Sequence, residues 1–458
     1  MADNSFQTIN PLTEAPIETY RYIGDDKMNG VIEASHAAFL DWRMQSLEDR
    51  AKVIAAIGAA LRDAKEDFAR LMTDEVGKLL RDSRQEIELC AAICDYTAKQ
   101  GPVVLADQKR QVQRGEGYVT HAPLGVIYGI QPWNFPAYQA IRYSIASLMA
   151  GNGVLLKHAE NCTGSGLFLK QVYERGGLPK DLFGVLVIDH DQSDRVIEHK
   201  LVRGVTLTGS DRAGRTVGAK AASVAKKTVL ELGSNDAYLV LDDADLDLAI
   251  KTCVQGRVYN NGQTCVNAKR FIVTEANYEA FVQGYAAAFE GIRMGDPTAD
   301  DTQLGPLVSK RQRDSLHQQV EKSVAGGARV LVGGEIPDRQ GWFYPATVLV
   351  DVAPGQPAYE DELFGPVASI IRARDDEDAM QTANSSRYGL GGGIFSKNVE
   401  RAKELAGRHF DTGMVFINNF NVASPDMPFG GVKDSGYGRE HGEEGLKEFV
   451  NAKAILVA

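Results

Sequence analysis

Three kinds of reactive side chain sit in short motifs spread along this chain. Asn260-Asn261-Gly262-Gln263-Thr264-Cys265 sets one cysteine after a Gly-containing polar turn. Leu230-Glu231-Leu232-Gly233 lies upstream of it, and Pro132-Trp133-Asn134-Phe135-Pro136 lies further upstream. A thiol, a carboxylate and a side-chain amide are the parts needed to attack a carbonyl, activate a water and hold an oxyanion. Two more motifs follow: Glu362-Leu363-Phe364-Gly365-Pro366 and Pro428-Phe429-Gly430-Gly431-Val432-Lys433.

Each residue also has an ordinary reading. Cys265 alone reads as a buried free cysteine, the usual fate of this residue. Asn134 reads as the start of a helix entered through Pro136. Glu231 reads as a solvated carboxylate at a strand end, and Glu160 as a charge complementing a helix N-terminus. Arg142 lies eight positions after Asn134. On a helix entered at Pro136 that is just over two turns, which brings Arg142 to roughly the side of Asn134. Its plain alternative is an exposed arginine with its stem along apolar surface. The joint presence of the motifs, in order, favours chemistry.

The elements that must position them change along the chain. Residues 31–100 read as helices, with apolar residues at helical spacing over 31–44 and 50–63. From 124 to 241 short apolar runs (125–130, 153–156, 184–188, 204–207, 228–230) alternate with amphipathic stretches, which predicts βαβ units and a parallel sheet with helices on both faces. A second α/β region runs from about 235 to 440, with strands expected at 270–273, 329–332, 367–371 and 414–417. Glu231 then falls at the carboxyl end of a strand, where open α/β sheets bind ligands.

The bulk numbers narrow the class. The chain has 458 residues, 44% of them hydrophobic, enough for two or three domains with cores of their own. Lys plus Arg is 50 against 61 Asp plus Glu, a formal net charge of -11, and no basic run stands out. Nucleic acid and anionic membrane are therefore not expected partners. No signal peptide or transmembrane stretch is expected. Five cysteines, an odd and sparse count, fit reduced thiols in a cytoplasm. Cys90 and Cys94, four apart on an expected helix, read as two small apolar side chains rather than a metal site, and no metal is expected.

In this order and spacing the five motifs resemble the aldehyde dehydrogenase superfamily over nearly the whole chain. The resemblance implies that the Cys265 thiolate is the nucleophile, that Asn134 and the Cys265 N–H hold the oxyanion, and that Glu231 activates water. Members that pass the acyl group to coenzyme A typically lack this glutamate, so a free acid is the expected product. No Gly-x-Gly-x-x-Gly follows a strand, and the residues alone do not point to a dinucleotide. The resemblance implies one: NAD, with NADP possible. Lys157 and Glu160 would meet the adenosine ribose and Gly209 and Ser210 the pyrophosphate. Glu362 would bond the nicotinamide ribose, with Trp133 and Phe364 around the nicotinamide. The Glu160 carboxylate would repel a 2′-phosphate, so NAD is expected to be preferred.

In family members that oxidise succinate semialdehyde, an arginine matches Arg142 and meets the substrate carboxylate. Tyr138, Tyr259 and Phe429 would line the substrate channel, and Ser424 would add a hydroxyl. A second arginine of some semialdehyde members is Tyr259 here. Two further departures are His158 in place of a usual Pro, and Ser234-Asn235 in place of Gly-Lys. The fold expected is a Rossmann-like dinucleotide domain (1–109 and 124–233), an α/β catalytic domain (234–444) and a small β oligomerisation element (110–123 and 445–458). A homodimer or homotetramer is the expected assembly. The expected substrate is succinate semialdehyde or a close ω-carboxylated aldehyde. The alternatives are a dehydrogenase of neutral or amino aldehydes, and a catalytically silent binding protein, against which the intact Cys265, Asn134 and Glu231 argue.

Overall fold

The structure is a computed structural model, and it describes residues 4–458. Residues 1–3, where the first expected domain begins, lie outside the described residues. Two large sheets organise the chain. The first runs, across the sheet, Gly436–Tyr437, Lys227–Glu231, Val202–Thr208, Val126–Gln131, Gly153–His158, Phe183–Val185. The last five strands are parallel, and Gly436–Tyr437 joins antiparallel beside Lys227–Glu231. Val126–Gln131 is the first of the five in the chain, and its two neighbours are reached by connections on opposite sides. Its carboxyl end, next to that of Val202–Thr208, is therefore a topological switch point where a crevice opens. Most of their residues are buried because strands covered by helices on both faces bury both sets of side chains.

The second sheet runs Arg329–Val332, Thr347–Val350, Val367–Ala373, Arg270–Thr274, Ala237–Val240, Gly392–Phe395, Phe416–Ile417. Only Arg329–Val332 pairs antiparallel. Three of its strands, Ala237–Val240, Thr347–Val350 and Gly392–Phe395, were not expected from the sequence. The last was hidden by two glycines. A Cβ at Gly392 would stand 2.4 Å from the Phe410 ring, and one at Gly393 2.4 Å from the Tyr238 ring, so aromatic side chains fill the room. Glu231 ends a strand of the first sheet and Ala237 begins a strand of the second. The carboxylate thus stands where the chain crosses from one sheet to the other.

The helices Asp25–Trp42, Leu47–Asp63, Lys65–Val76 and Leu80–Val104 precede the first sheet, behind a hairpin of Ser5–Ile9 and Pro16–Arg21. Cys90 and Cys94 are fully buried in the core that these helices share with Ile141, Leu148 and Leu156. A three-stranded sheet joins Gln108–Arg110, Glu116–Pro123 and Val450–Val457. Within this chain Gly117 faces Leu456 and Tyr118 faces Ile455. Val450–Val457 is an edge strand, and Leu456 is 74% exposed. No helix among the described residues is long and apolar enough to cross a membrane.

Candidate active site

The cysteine turn owes its shape to three consecutive left-handed residues: Asn260 (φ 53°), Asn261 (φ 56°) and Gly262 (φ 74°). Asparagine tolerates this region better than other side chains, and glycine enters it freely. A Cβ at Gly262 would lie 2.3 Å from the carbonyl carbon of Gly365, so the motif needs glycine for space as well. The side chains then lock the turn. Asn260 Nδ2 donates to the carbonyls of Asn134 (2.8 Å) and Gln263 (3.2 Å). Asn261 Nδ2 donates to the carbonyls of Gly77 (2.9 Å) and Pro306 (3.0 Å), and Gly305 N–H donates to its Oδ1 (2.8 Å). Buried Arg257 donates to the carbonyls of Gly262, Ala268 and Gly365.

Cys265 lines a cavity of about 220 Å³ with Pro132, Trp133, Asn134, Thr208, Gly209 and Ser210. Leu232, Gly233, Gln312, Glu362 and Phe364 complete it. Seven residues expected to act on substrate or cofactor therefore meet here: Trp133, Asn134, Gly209, Ser210, Cys265, Glu362 and Phe364. The Trp133 and Phe364 rings meet edge to face, 5.6 Å apart. Asn134 Nδ2 donates to Gln263 O (3.1 Å), two residues before the thiol. The helix after Asn134 spans Tyr138–Met149, later than the Pro136 start expected, so Asn134 stands in the turn ahead of it. Glu86, on the Leu80–Val104 helix, accepts the N–H groups of Ala137 and Tyr138 and caps that helix from outside. Lys78 pairs with Glu86 out of water and lies 3.8 Å from the Phe135 ring centroid.

Glu231 is buried, and neither carboxylate oxygen has a hydrogen-bond partner among the described residues. Burial raises its pKa well above the usual carboxylate range; Arg142 pulls it back and Glu440 pushes it further. An unpaired buried carboxyl is rare in native structures and calls for an explanation. A Cβ at Gly430 (φ 154°) would stand 2.7 Å from Gly438 O and 2.8 Å from Glu231 Oε1, so the Pro428 motif has room only for glycine there. Burial likewise pushes the Cys265 thiol up to about 12, while Arg142 and Lys269 act to lower it.

Lys269 was not anticipated. Its ammonium donates to Ser234 Oγ (2.9 Å) and to the carbonyls of Thr264 (3.1 Å) and Cys265, and it pairs with Glu362 Oε1 at 3.2 Å. At the Ser234-Asn235 departure, Ser234 Oγ shares the Cys265 carbonyl with Lys269. The signal available was a Lys-Arg pair at the head of a strand. Charge at a strand end reads as solvated, whereas both residues are buried.

Arg142 is fully buried. Its Nε pairs with Glu440, Nη2 donates to Thr208 Oγ1 (2.9 Å), and Nη1 has no partner among the described residues. The guanidinium carbon lies 4.5 Å from the Phe429 ring centroid and 5.2 Å from that of Tyr138. Tyr138 shares a hydrogen bond with His441 Nε2 (2.9 Å), and Tyr259 stacks on Phe135 at 6.2 Å. The expected exposed-arginine alternative is therefore excluded. Ser424 does not line this cavity; its hydroxyl donates to Asp426.

Lys157 and Glu160 stand apart from the thiol cavity. Glu160 borders a small cleft with Phe6, Tyr22, His158 and Thr163. Burial holds His158 down at about 4, so it is neutral at pH 7. Its Nε2 shares a hydrogen bond with Pro136 O (2.8 Å), tying the Lys157 loop to the Asn134 segment.

The aldehyde dehydrogenase family model matches residues 1–455. A succinate-semialdehyde dehydrogenase [NADP(+)] of Deinococcus radiodurans is 41% identical over 453 residues, covering 99% of this chain and 95% of that protein. A succinate semialdehyde dehydrogenase [NAD(P)+] of Escherichia coli (strain K12) is 41% identical, covering 98% of this chain and 97% of that one. The crystal structure of succinic semialdehyde dehydrogenase from Streptococcus pyogenes with NADP+ superposes with a TM-score of 0.96 at 37% identity, over 99% of each chain.

Proposed function

Since this chain belongs to the aldehyde dehydrogenase family, we propose that Cys265, Asn134 and Glu231 carry out its oxidation of succinate semialdehyde to succinate. The protein is an NAD(P)-dependent oxidoreductase of aldehydes. The thiolate adds to the aldehyde carbon and gives a thiohemiacetal, with the oxyanion held by Asn134 Nδ2 and the Cys265 N–H. A bound nicotinamide supplies the hydride acceptor. Loss of hydride from carbon then collapses the oxyanion to the carbonyl of a thioester. Glu231 takes a proton from water, the hydroxide attacks the thioester, and succinate leaves as the thiol is restored.

The observation that carries the substrate reading is the unpartnered Nη1 of Arg142, a buried donor on a cation that lowers the Cys265 pKa from nearby. A guanidinium with a free edge can take a carboxylate. The test is a panel of aldehydes ranked by kcat/KM, with and without an ω-carboxylate. Equal values for succinate semialdehyde and butanal would sink the substrate class.

The dinucleotide fits the crevice at the strand ends. Ser210 caps the Asp211–Ser223 helix, accepting Ala213 N–H at 3.3 Å, and that N-terminus with Gly209 borders the cavity, a place suited to a pyrophosphate. Lys157 and Glu160 would hold the adenosine ribose and Glu362 the nicotinamide ribose. The relatives carry NADP(+) or NAD(P)+ in their names, which supports NADP over the NAD preference expected from Glu160. Residues 4–109 and 124–233 would form the dinucleotide domain and 234–444 the catalytic one. Residues 110–123 and 445–458 would associate subunits through the exposed Val450–Val457 edge.

A further inference from the structure

Glu160 poses a problem for a 2′-phosphate, and the structure contains a device that answers it. Tyr22 OH donates to Glu160 Oε1 at 2.5 Å. Tyr22 is itself fixed: its N–H donates to Asn4 O (3.0 Å), Asn4 Nδ2 donates to its carbonyl (3.2 Å), and its ring lies 5.0 Å from that of Phe6. Lys157, three residues before Glu160, is the next-to-last residue of the strand Gly153–His158 and is only 6% exposed. Its ammonium has no hydrogen bond and no carboxylate within 4.0 Å among the described residues. The two acids that act on it from nearby, Glu160 and Asp189, are both engaged elsewhere. Asp189 Oδ1 accepts Gln192 N–H at 2.8 Å. An unpartnered ammonium at the end of a buried lysine, beside two carboxylates that each hold a partner elsewhere, is a site prepared for an anion.

We propose that Tyr22 selects the dinucleotide by holding Glu160 off Lys157, which leaves the Lys157 ammonium for the 2′-phosphate of NADP. Tyr22 is a positioning residue that acts through Glu160. The inference rests on the dinucleotide reading above, and the test uses nucleotide binding without aldehyde, so the two can fail separately.

The full-length chain is titrated calorimetrically with adenosine 2′,5′-bisphosphate and with AMP. Tyr22→Phe keeps the ring on Phe6 and removes only the hydroxyl. The freed carboxylate then turns to Lys157, and the ratio of bisphosphate to AMP affinity falls roughly tenfold. Glu160→Gln leaves no charge to hold, so adding Tyr22→Phe in that background changes the ratio by less than about twofold. An unchanged ratio in Tyr22→Phe alone would overturn the proposal, as would an equal loss in the Glu160→Gln background. Failure of wild type to bind either nucleotide would overturn the dinucleotide reading, and the Tyr22 role with it.

Discussion

Arg142 and Glu440 form an ion pair out of water, with side-chain exposures of 0% and 5%. Burial lowers the arginine's pKa, Glu440 together with Tyr138, Glu231 and Cys265 more than offsets that, and the net shift is upward. The pair divides the guanidinium: one edge belongs to Glu440 and Thr208, and Nη1 is left over. A substrate carboxylate must therefore share the cation with a resident carboxylate.

That sharing dictates how the arginine is tested. Arg142→Leu alone strands Glu440 as an unpaired buried charge, at about 3–5 kcal/mol of stability. Arg142→Leu with Glu440→Leu replaces the pair by apolar side chains and should melt near wild type. In the double variant kcat/KM for succinate semialdehyde should fall by about 30-fold or more, the loss of roughly 2 kcal/mol or more of charge pairing. Butanal should fall less than succinate semialdehyde, since it loses only the help that Arg142 gives the Cys265 thiolate. Equal losses on both aldehydes would make the pair purely structural.

Glu231→Gln should separate the two halves of the reaction. Hydride loss needs the thiol and the oxyanion donors, while thioester hydrolysis needs the base. Stopped-flow absorbance should record a burst near one equivalent of reduced cofactor per active subunit, followed by slow turnover. Disappearance of the burst along with turnover would place Glu231 earlier in the reaction.

The pH dependence follows from two raised values. Cys265 stands at about 12, so the thiol is largely protonated at pH 7 in the free enzyme, and burial raises Glu231 above its ordinary range. Below the thiol's pKa the thiolate fraction grows about tenfold per pH unit. Iodoacetamide labelling of Cys265 should therefore accelerate steadily between pH 7 and 9, and Cys265→Ser should abolish it. A rate flat over that range would mean a thiol already ionised.

Lys269→Met removes one of the two cations that lower the thiol. Labelling of Cys265 should slow at any one pH, and the whole profile should move to higher pH. Lys269→Arg should recover part of the rate, because it restores the charge without the compact ammonium's fit to three acceptors. A profile unmoved in Lys269→Met would show that the lysine only braces the turn.

Much of the site is legible in the sequence because its chemistry is local. Asn260, Asn261 and Gly262 announce a left-handed turn, and the run ending at Glu231 announces a strand end. What escaped was set by distant parts of the chain. Glu440 reads as one more surface acid until folding brings it to Arg142. Lys269 reads as a solvated strand end until the second sheet buries it. Glu160 carries a negative charge in the sequence, but only the structure shows Tyr22 taking hold of it. The Pro136 helix start was placed early because Pro fits a first helical turn, yet Glu86 caps the helix at Ala137 and Tyr138.

Asn261-Gly262 is also a chemical clock. An asparagine followed by glycine is prone to cyclise, the glycine nitrogen attacking the side-chain amide and ammonia leaving. Here the amide is immobilised by Gly77, Pro306 and Gly305, and the backbone is pinned left-handed, so the folded enzyme resists that ageing. Each local opening of the loop exposes it. Asparagine counts among the thermolabile residues, and the conversion to aspartate or isoaspartate is not undone on cooling. Shelf life should therefore follow how often this one turn opens, rather than how stable the whole molecule is.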